Sequence, residues 1–145
     1  MARIDQLIRM RDRRVLGRVA YRVLLHLYGL DLPSSVRVGK DVSFPHLGRG
    51  TVIHPKTEIG DNVTIFHGVT VGRADAHRPE AESKFQGVVI ESGAVLMTGC
   101  VGEGGPGVTV VGSRSIVAAN AVLRTSTGEA EVWAGVPAKR IQRGP

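Results

Sequence analysis

From Leu32 onward an aliphatic residue recurs every six positions, a period that belongs neither to an α-helix at 3.6 residues nor to an uninterrupted strand at 2.0. Written in sixes, the chain reads LPSSVR and VGKDVS, then after a break LGRGTV, IHPKTE, IGDNVT and IFHGVT, and later IESGAV, LMTGCV, VGSRSI and VAANAV. The first position is always aliphatic and the fifth is nearly always Val, Ala, Thr or Ser. A short strand followed by a sharp corner satisfies this period, with glycine, Asn or Asp taking the left-handed conformation at the corner. Three such sides close a coil of about eighteen residues, and stacked coils hydrogen-bond at about 4.8 Å, so the first-position aliphatics form ladders down the interior. A β-sandwich is the competing arrangement, but its turn signals come at about 8 to 12 residues. The reading is an all-β chain, a parallel β-helix of the hexapeptide-repeat type over residues 31–145, preceded by a short N-terminal α-helical segment over residues 1–30.

In that first segment Ile4, Leu7, Ile8, Val15, Val19, Val23 and Leu27 follow helical spacing. Gly29 stands where a helix C-terminal glycine would, and Pro33 lies just beyond, so the helix ends near Tyr28. Seven arginines (Arg3, Arg9, Arg11, Arg13, Arg14, Arg18 and Arg22) crowd the same segment and supply much of the formal net charge of +6. Apolar residues interleave with them, and no aromatic ladder or nucleic-acid motif accompanies them. They read as a solvated helix face rather than a nucleic-acid or membrane patch, with no nucleic-acid partner expected, and the same charge leaves an anionic ligand open.

Two segments break the rhythm of six. Arg73 to Gly87, "RADAHRPEAESKFQG", is polar and should project as a loop, and Gly102 to Thr109, "GEGGPGVT", is a second, glycine-rich excursion. The one cysteine, Cys100, has no disulfide partner and sits in "MTGCVG", which suits packing rather than nucleophilic chemistry and fits a reducing compartment. No stretch is long and apolar enough to span a bilayer, so a soluble cytoplasmic protein is expected.

The hexads, the segment "GDNVTIFHGVTVG", the loop after it and the ending "VWAGVPAKRI" together resemble the serine acetyltransferase branch of the hexapeptide-repeat acyltransferases, over roughly residues 31–141. The resemblance implies a left-handed parallel β-helix assembled as a homotrimer, or as a dimer of trimers, with active sites in the clefts between neighbouring prisms. It implies acetyl-CoA as donor, a small-molecule hydroxyl as acceptor, and no metal. The family's catalytic histidine maps onto His46 in "FPHLGRGTVI", and its partner carboxylate onto Asp31, fifteen residues earlier. His46 would act as general base and Asp31 would orient its imidazole. A loop histidine that reaches toward the acceptor has its counterpart in His77 or Arg78 of "HRP". For CoA the resemblance points to backbone groups around Gly72, Ala94 and Ala119 along the pantetheine arm, and to Lys139 and Arg140 at the phosphates of the nucleotide end. His67 is expected to pack at the trimer interface, His54 to be structural beside a corner proline, and His26 to pack within the helix.

The acceptor stays open between serine and a sugar-type hydroxyl. Serine acetyltransferases carry a longer helical N-terminal domain and a C-terminal tail that docks into cysteine synthase, so with the ending "QRGP" that partner is not expected. Two alternatives stand beside this reading. A γ-carbonic-anhydrase-like zinc enzyme needs histidines five residues apart, whereas the intervals here are eight from His46 to His54 and thirteen from His54 to His67. A non-catalytic scaffold on the same fold would show a degenerate site.

Overall fold

Both repeating positions of the hexad point inward. Leu32, Ile53, Ile59, Ile65, Val71, Ile90, Leu96, Val111, Val117 and Leu123 occupy first positions and are buried, and the fifth-position side chains, among them Val63, Val69, Cys100 and Ala121, are buried with them. Two inward residues in every six leave four for the strand edges and corners, so a narrow core can be filled by small and β-branched side chains alone.

The computed structural model describes residues 15–142. Between residues 57 and 123 its strands, in chain order, visit three faces in rotation. The first face carries β1 (Arg37–Val38), β3 (Thr57–Ile59), β6 (Phe85–Ile90) and β9 (Gly107–Val111). The second carries β4 (Thr64–Ile65), β7 (Val95–Leu96), β10 (Ile116–Val117) and β12 (Val132–Gly135). The third carries β2 (Val52–Ile53), β5 (Thr70–Arg73), β8 (Val101–Gly104) and β11 (Val122–Leu123). Pairing within each face is parallel, and a final strand, β13 (Ala138–Ile141), turns back antiparallel along β12.

Val52 pairs with Thr70, eighteen residues on, which is the uninterrupted coil. Thr70 pairs with Val101 and Val101 with Val122, intervals of thirty-one and twenty-one. The extra residues of both intervals leave at one corner, between the third and first faces. The projecting loop is shorter than expected, because Arg73 still belongs to β5 and Phe85 to Gly87 already belong to β6. The glycine-rich segment is not a loop at all. It is the end of β8 and the start of β9, joined through Gly105 and Pro106 alone. Gly104 is required there because a Cβ would strike the ring of the buried Phe85.

The corner between the second and third faces is a column of left-handed residues: Gly29, Gly50, Gly68 and Gly99 at φ +65, +69, +69 and +66, continued by Asn120 at φ 55. The column opens at the end of helix α1 (Val15–Tyr28). There the Gly29 N–H donates to His26 O at 3.1 Å and the Leu30 N–H donates to Leu25 O at 3.0 Å, the paired bonds of a Schellman terminus. The helix closes one end of the prism through Tyr21 and Leu25, both buried in the main core with Leu30 and Leu32, and the Tyr21 hydroxyl donates to Leu32 O at 3.3 Å. The aliphatics that mark its periodicity do not face this core: Val19, Val23 and Leu27 are exposed, and so is His26, contrary to its expected packing role. The stretch from Ile4 to Arg14 of the expected helix lies outside the described residues. At the opposite end Ser126 Oγ accepts from the Val110 N–H at 3.0 Å and Thr127 Oγ1 from the Gly112 N–H at 2.8 Å, covering the outer edge of β9.

The column gives a paired test. Gly99→Ala puts a Cβ on a left-handed residue and against the Asn120 side-chain oxygen, and should lower unfolding stability by about 1–2 kcal/mol or more in urea titrations. Gly72→Ala, whose Cβ would meet nothing within 4 Å, should change it by less than about 0.5 kcal/mol.

Candidate active site

His46 sits in a 3-10 turn, Pro45–Gly48, at the corner that leads from the second face to the third. Its backbone is left-handed (φ 56, ψ 29), and so is that of Leu47 (φ 62, ψ 21), followed by Gly48 at φ 60. Two non-glycine residues in this region store strain of about 1–3 kcal/mol each, which persists only where the surroundings over-determine it. Those surroundings are visible. Gly48 is buried under Leu30 and Phe44, whose side-chain atoms would lie 3.2 Å from an added Cβ, and Leu47 packs against the main core.

The His46 ring meets the ring of His67 edge-on, with centroids 5.0 Å apart and planes at 85°. His67 Nδ1 is buried and has no hydrogen-bond partner among the described residues. His67 is therefore part of this site, although it was not among the residues the sequence placed there. A signal existed: His67 precedes Gly68 as Arg49 precedes Gly50, so it stacks one coil along the same corner, with Gly68 N–H donating to Arg49 O at 2.8 Å.

Asp31 is exposed on the outermost rung of the third face, bridged to Val52 through its own backbone: its N–H donates to Thr51 O and its carbonyl accepts from the Ile53 N–H, each at 2.9 Å. It lines a cleft of about 720 Å³ between α1 and the first coil, with Arg22, His26 and Pro33. Asp31 and His46 thus flank the same corner, but no hydrogen bond or ion pair joins them among the described residues.

Farther along the third face, Gly72 leaves open space where a side chain would be. The chain passes from it into the loop that carries His77 and Arg78. These two line a cavity of about 410 Å³ with Lys84, Gly105, Pro106 and Arg124. The loop is pinned from within: Arg73 Nη2 donates to Arg78 O at 2.8 Å, Ser83 Oγ donates to Asp75 Oδ1 at 3.0 Å, and the Ala74 N–H donates to Gly104 O at 2.9 Å. Ala94 does not line any cleft. It holds a fifth position, is fully buried, and its carbonyl accepts from the Thr64 N–H at 3.0 Å. The inward rule for fifth positions, applied to IESGAV, excludes it from a surface role. Ala119 is exposed beside Asn120 at the top of the left-handed column.

Lys139 and Arg140 lie exposed on β13. Arg140 Nη1 is 3.3 Å from Glu131 Oε1, whereas Lys139 has no ion-pair partner among the described residues. Glu131 also accepts from Trp133 Nε1 at 2.9 Å and the Gly128 N–H at 2.7 Å, and these bonds, with Arg140, hold its carboxyl below the usual range. Cys100 is fully buried, and burial pushes its thiol up to about 12, so it supplies no thiolate near neutrality. Among the described residues no group of three His, Cys, Asp or Glu side chains is placed to hold a metal ion, and no helix is long and apolar enough to cross a membrane.

No family model matches the chain. Curated relatives do. The chain is 28% identical over 129 residues to a serine acetyltransferase of Helicobacter pylori strain J99, an alignment that covers 88% of this chain and 70% of that one. It is 31% identical over 135 residues to a serine acetyltransferase of Mycobacterium tuberculosis, with coverage of 90% and 53%. In structure it is similar to the serine acetyltransferase of Brucella abortus strain S19 in complex with coenzyme A, at a TM-score of 0.76 and 25% identity over 95% of this chain and 54% of that one. This chain is a homologue of the serine acetyltransferases, in the hexapeptide-repeat acyltransferase family. It spans about half the length of the Mycobacterium and Brucella relatives.

In this homologue one histidine outside the corner has a defined protonation preference. His54 Nδ1 accepts from the Lys56 N–H at 3.1 Å and its ring packs edge-on against Phe85, with centroids 4.9 Å apart. Burial, then the charges of Lys56 and Arg73, push its pKa below the ordinary histidine value, against an opposing pull from Glu80. A depressed folded pKa makes the neutral ring the stabilising form, so its contribution is present above about pH 6.5 and is lost as pH falls through the folded value. His54→Gln should therefore flatten the dependence of the melting temperature on pH below about 6.5, read by thermal unfolding across that range.

Proposed function

We propose that the protein is an acetyl-CoA-dependent O-acetyltransferase in which His46 acts as general base on a small-molecule hydroxyl, of serine or of a sugar-type acceptor. The observation that carries this reading is the strained turn itself. An exposed histidine is held in left-handed backbone by a buried glycine, beside a corner from which the third face leads to the free space at Gly72. Such strain, held in place by the packing of Leu47 and Gly48, is found where a side chain must be aimed. The Brucella relative, similar over 95% of this chain, binds coenzyme A, which supports the donor.

In the proposed step, the acceptor hydroxyl attacks the thioester carbonyl of acetyl-CoA while His46 takes its proton. The tetrahedral intermediate then expels the CoA sulfur, which receives that proton, and the products are an acetyl ester and free CoA. Asp31, on the same corner, would favour the imidazolium by its charge, and the His67 ring, packed edge-on, would fix the plane of His46. In a single chain the free space beside Gly72 on the third face would form only one wall of a cleft. A homotrimer, with a neighbouring prism closing the cleft, is the assembly that completes it. His77 and Arg78 would then meet the acceptor, and Gly72, Ala119 and Lys139 would lie along CoA.

His46→Ala should lower kcat by roughly 10²-fold or more with little change in the dissociation constant for CoA, measured by turnover and calorimetry on the same preparation. Retention of full turnover would overturn the assignment. For the donor, Lys139→Gln should raise the KM for acetyl-CoA by about tenfold and leave that for acetyl-pantetheine unchanged, because only the former carries nucleotide phosphates. Arg140→Gln should do less, since Glu131 already holds that guanidinium. Equal effects on both thioesters would remove Lys139 from the phosphate end.

A further inference from the structure

The cleft of about 720 Å³ between α1 and the outermost rung of the third face has an apolar floor, where Leu25 and Leu30 are buried in the main core. Arg22 and His26, one helical turn apart, line its α1 side, and Asp31 and Ser34 line the side of the first coil. A concave apolar surface with a few convergent polar groups is the usual form of a small-molecule site. The cleft also adjoins the turn that carries His46. The Gly50 N–H donates to Gly29 O at 2.7 Å and Gly48 is closed in by the Leu30 side chain, so residues 29–31 belong to both.

The charges on the lining decide what fits. Helix α1 contains no acidic residue, and Arg22 is exposed without an ion pair among the described residues, although Asp31 lines the same cleft. Asp31 is the one carboxylate among the described lining residues, and its charge is directed to the His46 imidazolium. A cationic ligand would be repelled by Arg22, and an apolar one would cover the guanidinium with no hydrogen-bond acceptor. A carboxylate or a phosphate satisfies it through two parallel N–H donors. The donor, laid from Lys139 at the opposite end of the prism, leaves the α1 side of His46 to the acceptor. We propose, on the reading of His46 as general base, that this cleft seats the acceptor. Arg22, with His26 beside it, holds an anionic group of that acceptor, a carboxylate or a phosphate, while the hydroxyl is presented to His46. The acceptor class is thus an anionic alcohol.

Paired compounds that keep a hydroxyl and lose the anion test this: serine against serinamide, and glucose 1-phosphate against methyl glucoside. In at least one pair the anionic member should show a KM about tenfold or more below that of its neutral partner, and the pair that does so tells carboxylate from phosphate. Arg22→Gln should raise the KM of that anionic member by about tenfold, leave the KM for acetyl-CoA unchanged and alter kcat little, and Arg22→Lys should restore part of the loss. Arg22 is exposed, so an unchanged thermal unfolding curve separates lost recognition from lost fold. Calorimetric titration of the same compounds into His46→Ala, with and without Arg22→Gln, should show the same preference and the same loss. Binding is thereby read without turnover, and a failed general base and a failed anion site give different results. No preference for the anion in either pair would overturn the proposal, as would a preference that survives Arg22→Gln. A preference lost with Arg78→Gln alone would also overturn it, and would assign the anion to the loop.

Discussion

Every rung of this molecule hydrogen-bonds to the rung one coil away, and that arrangement tolerates extra residues only where they can leave the prism at a corner. Val52 to Thr70 is the bare coil. The first coil is longer by three, since Asp31 bridges Val52, and the surplus is the Phe44–His46 segment at the corner between second and third faces. The next surplus is the loop of residues 74–84, at the corner between third and first faces. His46 lies in one departure from the period, His77 and Arg78 in a second, and Gly105 and Pro106, which line the cavity with them, in a third. The repeat makes a rigid frame and admits chemistry at the places where it is interrupted.

The rigidity matters for His46. A left-handed histidine followed by a left-handed leucine would relax in a flexible loop, whereas here Leu47 is drawn into the core and Gly48 is closed in by Leu30 and Phe44. Leu30 is supplied by the end of α1, so the helix that seals the first coil also helps to fix the imidazole. Stability of the turn and orientation of the ring come from one set of contacts.

How much of this was legible in the sequence follows from what kind of signal each residue carries. The inward first and fifth positions, the buried Cys100 and the helix terminus at Gly29 are local or periodic, and the string of residues expresses them directly. The partner of His46 is not local: His67 reaches it only because two coils bring their corners into line. The glycine-rich segment misled because glycine marks both flexible loops and close packing, and Gly104 serves the second purpose under Phe85. Val19, Val23 and Leu27 show that helical spacing identifies a face without saying which way it points. The buried face rests instead on Tyr21 and Leu25.

A parallel β-helix is in principle open-ended, since each coil presents the same row of donors and acceptors to whatever comes next. In this chain α1 occupies one end and the Ser126–Thr127 hydroxyls with β13 occupy the other. Both are made of chain that departs from parallel pairing, so neither can serve as a template for another copy. Among the described residues each end of the stack is thus covered by a segment of the chain itself, which leaves no bare coil for a neighbouring copy to extend.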